Sequence, residues 1–213
     1  MINRITPDEY RDFVGKLFFR NGDLSKDFAH AALGILEEVH EARNAGTYTN
    51  LLEEAGDLLF FGTAADIVLR EHMQELGGPP VEPEILECLE WDDDDVVRAN
   101  LLGMYKECGP MLGLGPGTAG DPTLLSSDAK KWVGYGAAPD EERTGELIAA
   151  ATLITWGLIG STLHEAGDAL GELFQNAARA NIAKLKHRYP GGFNLKDAAE
   201  RDREGEAQAV ANA

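Results

Sequence analysis

The chain has 213 residues, 44% of them hydrophobic, which is enough for one or two domains with a substantial core. Its formal net charge of −18 at pH 7 argues against nucleic-acid polymers and anionic membranes as partners. Cys88 and Cys108 form no metal-binding motif, so a reducing cytoplasmic setting is expected. We expect no signal peptide and no membrane span, because the longest apolar run, 147–159, is too short.

Three helices are predicted in the N-terminal third of the chain, at about 7–19, 25–43 and 50–72. Thr6 and Glu9 form a capping box at the start of the first helix, and Pro7 suits its first turn. Asn50, with Glu53 as its partner, is the predicted start of the third helix. Glycine-rich and proline-rich stretches separate or end these helices.

The remainder of the chain is predicted to be helical at several further places. Short helices are expected at 83–90 and 92–107, followed by a loop at 109–122, and strand signals are weak throughout. A longer helix is expected from about 161 to 189, and Asn194 with Asp197 starts a final polar helix. The chain is therefore predicted to be all-α.

Two short acidic motifs are the most informative feature of the chain. They read Glu-Glu-x-x-Glu at 37–41 and Glu-x-x-Asp at 54–57, on either side of a predicted turn. If the two segments are antiparallel helices, the i,i+3 spacing places the paired acids of each motif on one face. The sequence therefore predicts that four carboxylates converge on one site: Glu38, Glu41, Glu54 and Asp57.

Two of these acids, Glu38 and Glu54, interrupt helical stripes that are otherwise apolar. A carboxylate on such a stripe is costly unless it is paired or bound to a metal. Arg43 and Arg70 flank the hairpin but do not belong to these stripes, so a hard divalent cation is the simplest partner. Oxygen ligands favour Mg²⁺, Mn²⁺ or Ca²⁺. An ordinary solvated acidic face is the alternative that this pattern leaves open.

The order of the two motifs resembles the MazG-like all-α nucleoside triphosphate pyrophosphohydrolases. Downstream, Asn181, Lys184 and Arg188 match the Asn-x-x-Lys-x-x-x-Arg stretch of that family and share one helical stripe. The tail after Gly192-Phe193 is similar to the ending of MazG-like proteins encoded by phages. The resemblance covers about residues 28–70 and 176–205.

The resemblance implies Mg²⁺-dependent hydrolysis of nucleoside triphosphates to the monophosphate and pyrophosphate, with Mn²⁺ as a possible substitute. It makes the four converging acids the metal ligands, and Glu37 the group that orients or deprotonates the attacking water. It assigns contacts with the phosphates to Asn181, Lys184 and Arg188. It also implies a homodimer or homotetramer in the cytosol of a bacterium or a phage-infected host.

The same comparison divides the chain into three parts. Residues 1–72 would form the N-terminal part of a catalytic helical bundle, and 146–213 would complete it. Residues 73–145 would be an insertion of unknown role, either a lid or an oligomer contact. Glu165-Ala166-Gly167-Asp168 repeats the second motif, but no first motif precedes it, so its part in the site is left open.

Other functions remain compatible with the sequence. A dUTP-type diphosphatase or a phosphoribosyl-ATP pyrophosphohydrolase would use the same carboxylates with a different base pocket. A metal-binding regulatory module without turnover and a purely structural helical domain belong to other classes. His30 and Tyr189 are candidates for contact with a base, whereas Phe60, Phe61 and the tryptophans, Trp132 among them, are expected in the core.

Overall fold

The computed structural model describes residues 4–77, 123–138, 172–200 and 202–213, with residues 86, 88–90, 93, 95–97 and 99 between them. Every regular element in these residues is helical, which confirms the all-α prediction. Seven α-helices and one 3₁₀ turn (Cys88–Glu90) occur there: α1 (Pro7–Leu17), α2 (Leu24–Asn44), α3 (Tyr48–Glu75), α4 (Thr123–Tyr135), α5 (Leu173–Arg188), α6 (Leu195–Ala199) and α7 (Arg203–Ala211).

The predicted start of α1 is confirmed in detail. The Glu9 backbone N–H donates to Thr6 Oγ1 at 3.3 Å, and the Thr6 N–H donates to Glu9 Oε2 at 2.9 Å. This reciprocal capping box satisfies two of the donors that every helix start leaves open. The helix ends at Leu17, two residues before the predicted end, because Phe18 has an extended backbone.

The predicted start of α3 was wrong by three residues. Thr47, not Asn50, is the N-cap, and its side chain accepts a hydrogen bond from the Asn50 N–H at 3.2 Å. Threonine and asparagine offer equivalent capping oxygens, so the sequence pattern alone did not choose between them. Glu53 is therefore not a capping partner, and its carboxylate is used elsewhere.

Helix α3 is the centre of the structure. It packs along α2 in a helical hairpin and against α5 on another side, while α4 covers α2 and α7 covers α5. Gly56 allows the close approach of α3 to α5, because a Cβ there would lie 2.6 Å from the Ala177 carbonyl oxygen and 2.9 Å from Asn181 Cβ. Gly34 does the same between α2 and α3, where a Cβ would overlap the ring of Phe61. Two glycines thus set the spacing of the three helices that carry the motifs.

Several further predictions can be compared with the described residues. Trp132 is buried, as expected, and Asn194 caps α6 by accepting from the Asp197 N–H at 2.8 Å. The predicted loop 109–122, the repeated motif at 165–168, and Trp91 and Trp156 lie outside the described residues. Among the helices that are described, none is both long enough and apolar enough to cross a membrane.

Candidate functional site

The α2–α3 hairpin brings three of the predicted ligands together. A carboxylate oxygen from each of Glu38, Glu41 and Glu54 lies within 4.8 Å of the others. Glu38 is buried, Glu54 is half-buried and Glu41 is exposed, so the cluster runs from the interior to the solvent. Its depth distinguishes it from an ordinary acidic surface, because a buried carboxylate needs a compensating charge or proton.

Asp57, the fourth predicted ligand, lies beside this cluster but is held by α5. Its carboxylate forms an ion pair with Lys184 and accepts a hydrogen bond from Asn181 Nδ2 at 2.7 Å. Lys184 Nζ also contacts Glu53 Oε1 at 3.1 Å, and the lysine is only 2% exposed. The sequence analysis considered only Arg43 and Arg70 as cations near the hairpin. Lys184 on α5 is a further cation, so part of the negative charge has a partner within the chain.

Tyr10 on α1 completes this network and was missed by the sequence analysis. Its hydroxyl donates to Asn181 Oδ1 at 2.9 Å and lies 3.4 Å from the Gly56 carbonyl oxygen. Burial and the nearby charge of Asp57 raise the pKa of Tyr10 well above its usual value, so the hydroxyl stays a donor. Asn181 is thereby fixed with its amide nitrogen toward Asp57.

The electrostatics of the cluster are dominated by burial. Burial, followed by the charge of Asp57 and a hydrogen bond with Glu54, raises the pKa of Glu38 strongly. Burial also raises the pKa of Glu54, although the hydrogen bond from Glu38 opposes this. Without a cation, the two carboxyl groups therefore hold a proton between them near neutral pH.

Burial also acts on Lys184, whose pKa it would lower. The charges of Asp57 and Glu53, together with their hydrogen bonds, outweigh burial and raise the pKa of this ammonium. Lys184 is therefore charged, and it forms ion pairs with two carboxylates of α3, Glu53 and Asp57. Glu38, Glu41 and Glu54 have no comparable ion pair among the described residues.

A cleft of about 270 Å³ opens beside the acids. At one end it is lined by six carboxylates, and Arg188 also faces it. The acids are Glu37, Glu38, Glu41, Glu53, Glu54 and Asp57. Of the three residues predicted to contact phosphates, Arg188 lines the cleft, whereas Asn181 and Lys184 are not among its lining residues and contact Asp57 behind it.

The other end of the cleft is aromatic. His30 stacks on Phe18 with ring centroids 4.8 Å apart, and Phe193 lies 5.2 Å from both Phe19 and Tyr189. Phe60 belongs to the core and Phe61 packs against it, as expected, and both also line the cleft. His30 Nδ1 is buried and has no hydrogen-bond partner among the described residues. This aromatic compartment thus offers flat apolar surfaces and one polar atom, His30 Nδ1, without a hydrogen-bond partner among the described residues.

Arg188 is held by Glu206, a residue that no sequence motif singled out. Its Nε donates to Glu206 Oε1 at 2.7 Å, and its Nη2 donates to Glu206 Oε2 at 2.5 Å. Burial alone would lower the pKa of Arg188, but Glu206 and Tyr189 raise it, so the guanidinium is permanently charged. Glu206 belongs to α7, the last helix, and is 2% exposed.

No protein-family model, curated protein or solved structure matches this chain. The resemblance to the MazG-like enzymes therefore rests on the motifs alone and stays a prediction.

Proposed function

We propose that this protein is a Mg²⁺-dependent nucleoside triphosphate pyrophosphohydrolase, which cleaves between the α and β phosphates. The observation that carries the proposal is the shared cleft: a carboxylate cluster, a charged arginine and an aromatic compartment line one cavity. A nucleotide has the matching order of groups, since its phosphates need cations and its base needs flat apolar surfaces. We include in the proposal a cytosolic location and a homodimer or homotetramer.

The carboxylate cluster fits a hard divalent cation. Its donors are all oxygen atoms, which suit Mg²⁺ and Mn²⁺. Glu38, Glu41 and Glu54 have oxygens close enough to bind one ion, and Asp57 could join them only by loosening its contact with Lys184. The ion would supply positive charge for the triphosphate and lower the pKa of a bound water.

Other residues of the chain would activate the water, bind the phosphates and hold Asp57. Glu37 is exposed at the edge of the cleft and would accept the proton of the attacking water. Arg188 would bind the phosphates of the leaving pyrophosphate and offset their growing charge. Asn181 and Lys184 act one step back, because they hold Asp57 rather than facing the cleft.

The aromatic compartment would receive the base. Phe193, Tyr189 and Phe61 offer ring faces and edges, and stacking of this kind tolerates different bases. His30 Nδ1 would be the polar contact to the base edge. This arrangement leaves the choice among a general nucleotide substrate, dUTP and phosphoribosyl-ATP to experiment.

A nucleotide panel with product analysis tests the proposal. The purified protein with Mg²⁺ should release pyrophosphate and the monophosphate from at least one nucleoside triphosphate. Glu38→Gln and Glu54→Gln should each lower kcat/KM by about 100-fold or more, because each removes a ligand charge at the reacting phosphate. Glu75→Gln is the matched control, since this exposed acid lies about 30 Å further along α3.

Two results would count against the enzyme. Normal turnover in both acid variants would exclude the cluster as the active site. Binding of Mg²⁺ or Mn²⁺ without pyrophosphate release from any nucleotide would favour a regulatory metal-binding module instead.

A further inference from the structure

The Arg188–Glu206 contact joins the cleft to the last helix of the chain. The glutamate is 2% exposed and the arginine side chain is 15% exposed, so the pair is shielded from water. Both carboxylate oxygens are used, one on Nε and one on Nη2. A two-point contact of this kind fixes the plane of the guanidinium as well as its position.

Apolar packing does not explain why Glu206 is buried. The two buried residues of α7 are Glu206 and Val210, and most of the other residues of this helix are exposed. A buried carboxylate destabilises the fold unless it is paired, and replacing such a pair with apolar residues is often neutral. The pair is therefore better explained by what it does to Arg188 than by stability.

The geometry shows which part of Arg188 remains available. Glu206 occupies the edge formed by Nε and Nη2, and the opposite edge carries Nη1. The Tyr189 ring lies beside the guanidinium, with its centroid 5.8 Å from Cζ, and restricts sideways movement. Arg188 also lines the cleft. The edge that Glu206 leaves still carries N–H donors, which are the groups that a phosphate accepts from.

We propose that Glu206 is a positioning residue for phosphate binding: it orients Arg188 so that the second edge of the guanidinium grips the pyrophosphate portion of the substrate. The proposal rests on the proposed function of the cleft. Glu206 itself contacts no substrate in this scheme. Its negative charge lies behind the arginine, where it maintains the orientation without neutralising the guanidinium.

The main alternative is that Glu206 opposes the binding of phosphate. If Glu206 occupied Arg188 in place of phosphate, its removal would strengthen binding of phosphates. The positioning role requires weaker binding instead, because an unrestrained guanidinium must lose side-chain entropy when it binds. The sign of the change therefore separates the two.

The test compares Glu206→Gln and Glu206→Asp with wild type in the intact chain. Affinity for inorganic pyrophosphate with Mg²⁺ and the KM and kcat of nucleotide hydrolysis are the readouts. Glu206→Gln should weaken pyrophosphate binding and raise KM by roughly tenfold, while Mg²⁺ affinity measured alone stays unchanged. Glu206→Asp keeps the charge and should recover part of the loss. Asp202→Asn is the matched control, because this exposed carboxylate precedes the same helix and pairs with His187.

A double-mutant cycle separates positioning from general support of the fold. In an Arg188→Met background, Glu206→Gln should have no further effect on pyrophosphate binding, because the group it orients is gone. A structural role would weaken binding in both backgrounds. Thermal unfolding of every variant confirms that the assays are made on folded protein.

The outcomes distinguish this inference from the proposed function. If wild type hydrolyses nucleotides but Glu206→Gln binds pyrophosphate as well as wild type or better, the positioning role is excluded and the function stands. If wild type binds pyrophosphate through Arg188, and Glu206→Gln weakens that binding, but no nucleotide is hydrolysed, the enzyme is excluded and the positioning role stands. Failure of wild type both to bind pyrophosphate with Mg²⁺ and to hydrolyse any nucleotide excludes both.

Discussion

The two sides of the cleft handle charge in different ways. On the α2–α3 side, Glu38, Glu41 and Glu54 approach one another without an ion pair among the described residues. On the α5–α7 side, each charged group near the cleft already has a partner: Lys184 pairs with Asp57, and Arg188 pairs with Glu206. The hairpin side therefore depends on a proton or an added cation, whereas the charged groups on the other side are already ion-paired.

Because of this difference, two acids of one sequence motif have different roles. Glu54 and Asp57 belong to the same short motif, yet Glu54 joins the cluster and Asp57 is drawn toward α5. An acid of the cluster is expected to matter for metal binding and little for stability. An acid engaged by a buried lysine is expected to matter for both.

The largest expected difference between the two sides is in stability. Lys184→Met should lower the free energy of unfolding by about 3 kcal/mol, because it leaves Asp57 half-buried without its cation. Glu38→Gln should leave metal-free stability unchanged or higher, since the buried carboxyl already carries a proton near neutral pH. Urea unfolding of both variants without metal measures the contrast, with Lys16→Met as an exposed lysine control.

An equal loss in Lys184→Met and Glu38→Gln would contradict the distinction between the two sides. Such a loss in Glu38→Gln would mean that Glu38 is ionised in the metal-free protein and stabilised by a cation outside the cluster.

A smaller effect is expected from the aromatic end of the cleft. Phe193→Ala should raise the KM for a nucleoside triphosphate by roughly tenfold, because a stacked base contributes about 1–3 kcal/mol. The same variant should bind inorganic tripolyphosphate as wild type does, since that ligand has no base. Leu195→Ala, an exposed apolar residue two positions further on, is the control.

If Phe193→Ala weakens tripolyphosphate and nucleotide equally, the aromatic residues support the shape of the cleft and do not contact a base. His30→Ala extends the test, because His30 Nδ1 is the open polar atom of this compartment.

Local features of the sequence predicted one side of the cleft much better than the other. The i,i+3 spacing within each motif was sufficient to bring Glu38, Glu41 and Glu54 onto facing helix surfaces. Glu206 could not be recognised in the same way, because α7 is short and the role of this carboxylate depends on the approach of α5. Phe193 likewise lies in a glycine-rich tail without a helical period.

The residues that hold Asp57 also show what could not be predicted from the sequence. The family resemblance implied a site role for Asn181 and Lys184, which also share a helical stripe, and that stripe does face the site. Whether a residue on the stripe meets substrate or another side chain depends on how far α5 is from α3. Gly56 sets that distance by allowing backbone contact with Ala177, and a spacing pattern within one helix carries no information about it.

The last expected effect is a pH dependence that belongs to the hairpin side alone. In the unfolded chain Glu38 and Glu54 titrate near 4.5, and burial raises the pKa of both in the folded protein. Above about pH 4.5 the folded state therefore binds more protons than the unfolded state, so metal-free stability falls as pH rises through the folded pKa values. The slope is at most about 1.4 kcal/mol per pH unit for each proton. A Mg²⁺ ion bound to the folded cluster, as proposed, would compete with these protons, so Mg²⁺ should stabilise the protein more at about pH 8 than at about pH 5.5.

Urea unfolding at both pH values, with and without Mg²⁺, measures this effect. The double variant Glu38→Gln/Glu54→Gln removes both titrating groups and serves as the reference, because the rest of the cleft is unchanged in it. The difference between wild type and this variant should shrink toward zero below about pH 4.5 and grow as pH rises. A Mg²⁺ effect of the same size at both pH values would mean that the ion displaces no protons. In that case the cation would bind at the exposed rim of the cluster, at Glu41, and Glu38 would keep its proton beneath it.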